Sequence, residues 1–314
     1  MTRQLLLWTT SLFLTACSNQ TADKSQTDSS SKTTIDTKKT LQTLTTASYD
    51  YAYARDGKIY VYNESTKKDS FLTEGMNPCL SPSGQQVAFT ESPNTDRQIS
   101  VIDVQTKKKT RLAVDNNNFF GAMWSPDGNY IAFNYYVQDK ASWRIGIIDK
   151  ENRNFRTITN FKKWGDGAYS PTWTPDSKKI IVNTLDTIII YQLDGTVIRE
   201  YNVDSITKEH GISSNTNFFL TSDESKIIFN GTSEDESSGD GPSEAIYSFD
   251  FSTNKVSRIT PKGLDCGEIF LQNNHVILFT AVDRKTNKLS AYKIKIGESL
   301  QLLFSDCGEI TGRP

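Results

Sequence analysis

Acidic residues stand beside glycine at several points where one extended segment gives way to the next. Two such places are almost identical, Asp265-Cys266-Gly267-Glu268-Ile269 and Asp306-Cys307-Gly308-Glu309-Ile310. Carboxylates gathered at one place can attract a cation, a cationic peptide or a sugar. The residues that we therefore take as candidate partner-binding residues are Glu74, Asp166, Glu209, His210, Asp265, Glu268, Asp306 and Glu309.

A simpler interpretation of the same segments stays open. Glycine lets the backbone turn sharply, and an acid beside it is then only a solvated turn residue. His210 has the same two interpretations, because a histidine next to Glu209 can take part in acid–base chemistry or bind as a single ligand, or it can be an ordinary loop residue.

Several enzyme classes are not supported by the sequence. A hydrolase of the nucleophile-elbow type needs Gly-x-Ser-x-Gly, and the sequence has no copy of it. His210 and His275 are the two histidines, too few for a metal site built from several histidines. The acidic segment 234–241 lacks the ligand spacing of a calcium loop. We therefore expect no catalytic residues, no cofactor and no metal.

The cysteines allow two pairing states. Besides Cys17, the sequence has Cys79, Cys266 and Cys307, an odd number that indicates one pair plus a free thiol, or no pair. Cys266 and Cys307 occupy equivalent places in the repeated segment, so they are the candidate disulfide, provided that their Cα atoms lie within about 7 Å. Cys79 is predicted to be a small buried residue.

A recurring turn motif indicates the β-strands that position these residues. It comprises an apolar strand end, Pro, Asp or Ser, Gly, and an alternating apolar strand, which is the pattern of a β-hairpin. Its copies are Leu80 to Phe89, Trp124 to Phe133, Trp173 to Val182 and, more degenerate, Leu220 to Phe229. Their period of roughly 44 to 50 residues is that of β-propeller repeats.

The turn Ser125-Pro126-Asp127-Gly128 with the strand Ile131-Ala132-Phe133 resembles the WD40-like (PD40) repeat of the TolB β-propeller family. The resemblance extends from about Ser48 to the end of the chain. It implies a ring of four-stranded blades in which the connections between blades lie on one face. The acid–glycine segments would then surround the mouth of the central channel.

Counting strands predicts an all-β, six-bladed β-propeller over residues 48–314. The first unit, residues 49–72, supplies three strands and lacks an innermost one. The segment Asp306 to Ile310 repeats the segment that leads into the innermost strand of the last full blade. We therefore expect the C-terminal strand to pair with the N-terminal blade and close the ring, which removes exposed strand edges.

The N-terminal residues resemble a targeting signal. Leu5 to Leu14 form an apolar segment too short for a permanent membrane span, and Leu14-Thr15-Ala16-Cys17 resembles a bacterial lipobox. The resemblance implies a signal peptide over residues 1–16 and a lipid on Cys17. The Ser-, Thr- and Lys-rich residues 17–47 would form a disordered tether, and the location would be the cell envelope, at the outer membrane or periplasm in a Gram-negative cell.

The net charge of −2 and the absence of a basic stripe argue against nucleic acid. We expect a monomeric, lipid-anchored envelope propeller that binds a protein or peptide and is not an enzyme. One alternative is a carbohydrate-binding or carbohydrate-active propeller that uses the acidic channel mouth, and a spacer without a ligand is another. Aromatic residues for sugar or peptide stacking would be Phe119, Phe120, Trp164 and Tyr169, although core packing would also explain them.

Overall fold

In the computed structural model, the described residues are 47–92, 96–159, 161, 166–237, 242–273 and 275–314, and they form 24 β-strands. The predictions that concern Cys17, the signal peptide and nearly all of the tether lie outside the described residues. Those for Trp164 and residues 238–241 do so as well.

The strands form six sheets of four. Blade 1 contains β1 (Tyr51–Arg55), β2 (Lys58–Asn63) and β3 (Lys68–Glu74), and blade 2 contains β4 (Met76–Leu80), β5 (Gln86–Glu91), β6 (Gln98–Asp103) and β7 (Lys109–Arg111). Blade 3 contains β8 (Phe119–Trp124), β9 (Tyr130–Val137), β10 (Ser142–Asp149) and β11 (Arg156–Thr157). Blade 4 contains β12 (Tyr169–Trp173), β13 (Lys179–Asn183), β14 (Thr187–Gln192) and β15 (Val197–Asn202). Blade 5 contains β16 (Phe218–Leu220), β17 (Lys226–Ser237), β18 (Pro242–Asp250) and β19 (Lys255–Arg258). Blade 6 contains β20 (Leu264–Gln272), β21 (Val276–Asp283), β22 (Lys288–Lys295) and β23 (Gln301–Ser305), and β24 (Glu309–Gly312) joins blade 1.

Each blade is an antiparallel sheet, and its strands are paired in chain order in blades 2 to 6, whereas blade 1 has the order β24, β1, β2, β3. The C-terminal strand β24 pairs antiparallel with β1, so that Ile310 lies opposite Tyr53 and Glu309 lies opposite Ala54. The six-bladed propeller and its closure by the C-terminal strand are therefore confirmed. A closed ring leaves no innermost strand without a partner, which protects the backbone groups of blade 1.

The recurring turn is a hydrogen-bonded unit. In blade 3 the Ser125 hydroxyl donates to Asp127 Oδ1 (2.6 Å) and accepts from the amide of Tyr130 (2.9 Å). Thr174 makes the same two bonds in blade 4, donating to Asp176 Oδ1 (2.6 Å) and accepting from Lys179 N (3.1 Å). The polar side chains of the motif thus satisfy the backbone of the turn itself.

The last residue of the turn has a left-handed conformation in each copy. Gly84 and Gly128 have φ of +69° and +70°, and Ser177 and Glu224 adopt φ of +60° and +54° at the equivalent positions. Glycine takes this conformation without strain, so blades 4 and 5 depart from the repeat at a cost in local backbone energy.

The residues that close each repeat form the core between blades. Phe89, Phe133, Val182 and Phe229 are 0–1% exposed, and Phe279 is equally buried in blade 6. The repeat period therefore marks one buried apolar side chain in each of blades 2 to 5, and blade 6 has an equivalent, consistent with packing of each sheet against its neighbours.

One short helix, α1 (Val203–Thr207), lies between blades 4 and 5 in the described part of the chain. It begins after Asn202, whose side chain accepts a hydrogen bond from the Ser205 amide. None of the helices among the described residues is long and apolar enough to cross a membrane.

Candidate functional site

A cavity of about 70 Å³ lies where the innermost strands enter the channel from the inter-blade connections. All six blades contribute to it, and its only ionisable lining residues among those described, apart from Cys79, are Glu268 and Glu309. We call this cavity the acidic mouth. Its lining polar residues are Asn77, Asn134, Ser170, Asn217, Glu268, Glu309 and Thr311.

A β-bulge places Glu268 at the acidic mouth. The register of β20 against β21 shifts between Cys266 and Ile269, so Gly267 and Glu268 lie in the irregular stretch. Comparable shifts occur in the innermost strands of blades 2, 3 and 4. Bulges bend a strand and redirect its side chains, which explains why an acid in a strand otherwise buried on both faces lines the channel.

Glu309 is the first residue of the closing strand, and Asn77 of blade 2 binds it. Both the backbone amide and the side-chain amide of Asn77 donate to its carboxylate, the latter at 3.0 Å to Oε1. Asn77 has a positive φ of +49°. The Oδ1 atom of Asn77 is buried and has no hydrogen-bond partner among the described residues.

The environment of the acidic mouth favours protonated carboxyl groups. Burial, together with the charge of Glu268, raises the pKa of Glu309 to about 7, against the effect of the Asn77 amide bond. Burial also raises the pKa of Glu268. Glu268 is exposed by surface area, but it lines both this cavity and the larger one beside it, and the protein around these cavities limits its solvation.

Asp265 lies in a neighbouring cavity of about 440 Å³ that it shares with Glu244 and Glu268. Its Oδ1 accepts a hydrogen bond from the Glu244 amide (2.8 Å). Burial, followed by the charge of Asp265, raises the pKa of Glu244, although Asn230 donates to it. Three of the predicted acids, Asp265, Glu268 and Glu309, are thus brought together with Glu244.

The other predicted acids do not line the acidic mouth. Glu74, Glu209 and Asp306 are exposed. Asp306 has φ of +54°, and its backbone carbonyl accepts a hydrogen bond from Arg55 Nε (3.0 Å). Asp166 accepts through its carbonyl from the buried Arg144 (2.5 Å). A ring with five equivalent acids is therefore not formed, because the connections between blades differ in length and path.

Two of the glycines of these segments have different physical roles. Gly75 has a positive φ of +148°, as a turn requirement predicts. Gly267 has no such φ, and a Cβ there would lie 3.0 Å from Thr280 Oγ1. Close packing against the adjacent strand β21 of the same blade, rather than turn geometry, is the constraint at Gly267.

His210 is held by its neighbours. Its Nδ1 lies 2.8 Å from the Thr232 carbonyl oxygen, and its ring stacks on Tyr247 with centroids 3.8 Å apart. It does not line the acidic mouth. The contacts are those of a packed loop residue.

The three described cysteines are free thiols and buried. The candidate bridge between Cys266 and Cys307 is not formed. Instead, Cys266 Sγ lies 3.7 Å from Thr260 Oγ1, and Cys307 Sγ donates to the Glu309 carbonyl (3.2 Å). Burial raises the pKa of each thiol, that of Cys79 included, to about 12. Cys79 is 2% exposed, which confirms the prediction of a buried residue.

The predicted aromatic residues divide between core and surface. Phe119 is 1% exposed and belongs to the core. Phe120 and Tyr169 are partly exposed and line cavities on the face of the acidic mouth. Across the described residues, no cluster of three or more His, Cys, Asp and Glu side chains is arranged to hold a metal ion.

Sequence reasoning missed Asn77, Asn134 and Glu244. Asn77 and Asn134 lie within strands whose sequence pattern predicts burial, and neither residue belongs to a motif. Glu244 follows the acidic segment at 234–241 and stands one residue before the buried Ala245. The alternation of strand β18 is the signal that could have found it.

The opposite end of the channel is lined differently. A cavity of about 150 Å³ lies on the side of the recurring turns, and we call it the turn-side mouth. Its lining residues include Met123, Trp124, Pro126, Trp173, Pro175, Phe219, Phe270 and Pro314. Met123 and Phe270 line both mouths and so form the boundary between them.

These features define a six-bladed β-propeller with an acidic channel mouth. No protein-family model matches the chain, and no curated protein matches it. Among solved structures, TolB from Acinetobacter baumannii is similar with a TM-score of 0.63 and 17% identity. The similarity covers 83% of this chain, and the chain spans 65% of the Acinetobacter protein.

Two further structures share the fold. The β-propeller domain of the Trilobed protease from Pyrococcus furiosus has a TM-score of 0.54 and 13% identity over 82% of this chain and 95% of that one, and is described as having an open velcro topology. Oligogalacturonate lyase from Vibrio parahaemolyticus has a TM-score of 0.50 and 13% identity over 79% and 71%. Identities this low establish the shared fold and leave the function open.

Proposed function

We propose that this chain is a lipid-anchored propeller of the cell envelope that binds a protein or peptide partner through the acidic mouth, without catalysing a reaction. The observation that carries the proposal is the pair Glu268 and Glu309, supplied by two blades to one small cavity. Rims of propeller channels are concave and built from separate loops, which suits recognition of a protruding segment.

The pair favours a cationic group on the partner. Ionising both carboxyl groups in this cavity costs free energy, because burial and their mutual repulsion disfavour the charged forms. A Lys, Arg or N-terminal ammonium group that enters the mouth would stabilise both carboxylates and release a proton. Partner affinity is therefore expected to rise with pH through the range around the Glu309 pKa of about 7.

The candidate residues support binding better than catalysis. His210 is the predicted candidate for acid–base chemistry besides the carboxylates. Its ring contacts the Thr232 carbonyl and stacks on Tyr247. The two carboxyl groups of the mouth are next to amides and apolar side chains rather than a nucleophile paired with a base.

Crosslinking in intact cells, followed by mass spectrometry, tests the proposal. The full chain is compared with the double variant Glu268→Gln and Glu309→Gln, which removes charge at nearly constant shape. The matched control is Glu74→Gln with Glu209→Gln, two exposed acids outside the mouth. We expect the partner to be lost from the first double variant alone. An unchanged set of partners in both would refute the assigned surface.

The membrane anchor is tested separately. Cells grown with radioactive palmitate should label the wild-type chain and leave the Cys17→Ser variant unlabelled. The variant should also leave the membrane fraction. Equal labelling of both proteins would rule out lipidation at Cys17.

A carbohydrate ligand is the second candidate, favoured by the aromatic rings of Phe120, Trp143 and Tyr169 on the same face. Aromatic faces stack on sugars as they do on other apolar surfaces. Turnover of an envelope glycan that is lost in His210→Ala, or glycan binding that is lost in Tyr169→Ala, would favour this candidate. Neither result is expected if the partner is a peptide.

A further inference from the structure

A second cavity opens beside the acidic mouth, and Arg97 is its only charged lining residue among those described. It has a volume of about 320 Å³, and we call it the side cleft. Phe120, Asn134 and Ser170 line both the side cleft and the acidic mouth, so the two cavities adjoin. The other lining residues are Trp143, Tyr169, Ser214 and Asn215.

Arg97 is held in one orientation. Its Nε (3.0 Å) and Nη2 (2.6 Å) donate to Asn118 Oδ1, and its guanidinium carbon lies 5.2 Å from the ring centroid of Trp143 and 5.8 Å from that of Phe120. The backbone is fixed as well, because Arg97 N donates to Asn117 O (3.0 Å). The side chain therefore loses little further freedom when it binds a ligand.

The arrangement leaves part of the guanidinium unused. Of its five N–H donors, Asn118 occupies one on Nε and one on Nη2. No carboxylate within the described part of the chain forms an ion pair with Arg97. The free edge, with one N–H on each terminal nitrogen, matches the two oxygens of a carboxylate.

Asn134 adds a second polar group. It is 3% exposed, and its Nδ2 donates to the Ala168 carbonyl (2.9 Å). Its Oδ1 accepts no hydrogen bond from the described residues, although Asn134 lines both cavities. An acceptor left open at the junction suits an N–H donor of a ligand that spans the two cavities.

We infer that the side cleft binds a carboxylate of the peptide whose cationic group enters the acidic mouth, with Arg97 as its receptor. The inference rests on the proposed function and specifies the partner's chemistry. Opposite charges in adjoining cavities favour a peptide, which carries both signs. An acidic glycan would be repelled by Glu268 and Glu309, and a neutral glycan would gain no ion pair from Arg97.

The probe is a pool of synthetic octapeptides with random sequence and free termini, equilibrated with the immobilised full-length protein. Bound peptides are identified by mass spectrometry, and we expect them to combine a basic residue with a carboxylate. The best binder is then made in its acid form, with an amidated C-terminus, and with each Asp or Glu replaced by its amide. These forms distinguish a C-terminal carboxylate from an acidic side chain.

Calorimetry of these forms against wild type and Arg97→Gln separates ligand binding from a structural role. In wild type, loss of the recognised carboxylate should weaken binding about tenfold or more. In Arg97→Gln the same change should have no effect, because its receptor is absent. The control Arg153→Gln removes the same charge at an exposed position and should behave like wild type. Thermal unfolding verifies that each variant is folded.

A second variant keeps the arginine and neutralises its site. Asn118→Asp provides Arg97 with an internal ion pair, so the carboxylate effect should again disappear. If the amide forms weaken binding equally in wild type and Arg97→Gln, the inference is wrong. If Arg97→Gln binds normally while Glu309→Gln does not, the proposed function stands and this inference fails. Arg97-dependent binding of oligogalacturonate, tested as a probe, would overturn the peptide assignment.

Discussion

The two mouths of the channel are built from opposite ends of the same innermost strands, yet they differ in chemistry. The turn-side mouth is lined by Trp124, Trp173, Pro126 and other apolar residues. The acidic mouth has Glu268, Glu309 and several amides in a smaller cavity. Among the described residues, the two mouths share the boundary residues Met123 and Phe270 alone.

The difference follows from where the repeat is regular. On the turn side, the polar residues of the motif bond within their own turns, as Ser125 and Asp127 do, or to a neighbouring turn, as the Ser177 hydroxyl does in accepting from the Asp127 amide. At the other end the innermost strands bulge, and the connections vary. Polar groups such as Glu268 and Asn134 are then left facing the channel. The regular part of the repeat builds the fold, and its irregular part provides the candidate site.

The largest expected effect is on the turn side. Trp173 is 4% exposed, and its Nε1 donates to the Met123 carbonyl (3.0 Å). Trp173→Ala should lower the free energy of unfolding by about 3–5 kcal/mol through lost burial and a cavity. Urea unfolding measures this, with the exposed Glu74→Ala as a control that should change it by less than about 0.5 kcal/mol. A loss below that value for Trp173→Ala would mean that the turn-side mouth is not a structural core.

At the acidic mouth a conservative change should stabilise the protein. Folding raises the pKa of Glu309 from 4.5 to about 7, so the folded protein binds this proton more tightly than the unfolded chain does. The favourable contribution is complete below the unfolded pKa and is lost as pH rises through the folded one. Glu309→Gln should therefore be more stable than wild type by on the order of 1–3 kcal/mol at pH 8 and equal to it near pH 4.

Urea unfolding at both pH values tests this prediction. Glu74→Gln is the matched control, since this exposed acid lies outside the mouth, and the variant should differ from wild type by less than about 0.5 kcal/mol at both pH values. A constant difference between Glu309→Gln and wild type at pH 4 and pH 8 would contradict the account of the acidic mouth.

The turn side should respond to acid in the opposite sense. The Thr221 hydroxyl and the amide and hydroxyl of Ser225 donate to Asp223 and lower its pKa to about 2. This contribution is present above the unfolded pKa and is lost as pH falls through the folded one. Asp223→Asn should thus melt slightly below wild type at pH 6, and the gap should close towards pH 2. A gap that widens in acid would be inconsistent with the turn network.

The smallest effect concerns the thiols that flank the acidic mouth. Buried thiols with raised pKa values should react slowly with alkylating agents in the folded protein. Under denaturing, non-reducing conditions, the Cys17→Ser variant should show three alkylatable thiols, from Cys79, Cys266 and Cys307. Mass spectrometry counts them. A count of one would establish the bridge that the structure lacks.

The sequence predicted the architecture because the propeller repeats its chemistry. The turn motif and the copied segment around Cys307 together indicate six blades and the closing strand, and both are confirmed by the structure. Local spacing suffices for blades 2 to 6, which consist of consecutive strands, and the copied segment identifies the distant strand that completes blade 1.

The site was predicted only in part. Glu268 and Glu309 lie at the mouth, whereas Glu74, Glu209 and Asp306 do not, although all five stand beside a glycine or in the same connections. Bulges and connection paths decide which acid reaches the channel, and they depend on packing between distant blades. Asn77, for example, meets Glu309 from another blade, at a sequence separation of 232.

Site-specific photocrosslinking in intact cells tests the central claim most directly. A photoreactive residue at Asn217, which lines the acidic mouth, is compared with one at Lys178, an exposed residue on the recurring turn of blade 4. We predict a protein or peptide adduct from position 217 that disappears with Glu268→Gln and Glu309→Gln, and none from position 178. Adducts from position 178 alone, or adducts at 217 that persist without the two carboxylates, would contradict a partner-binding acidic mouth.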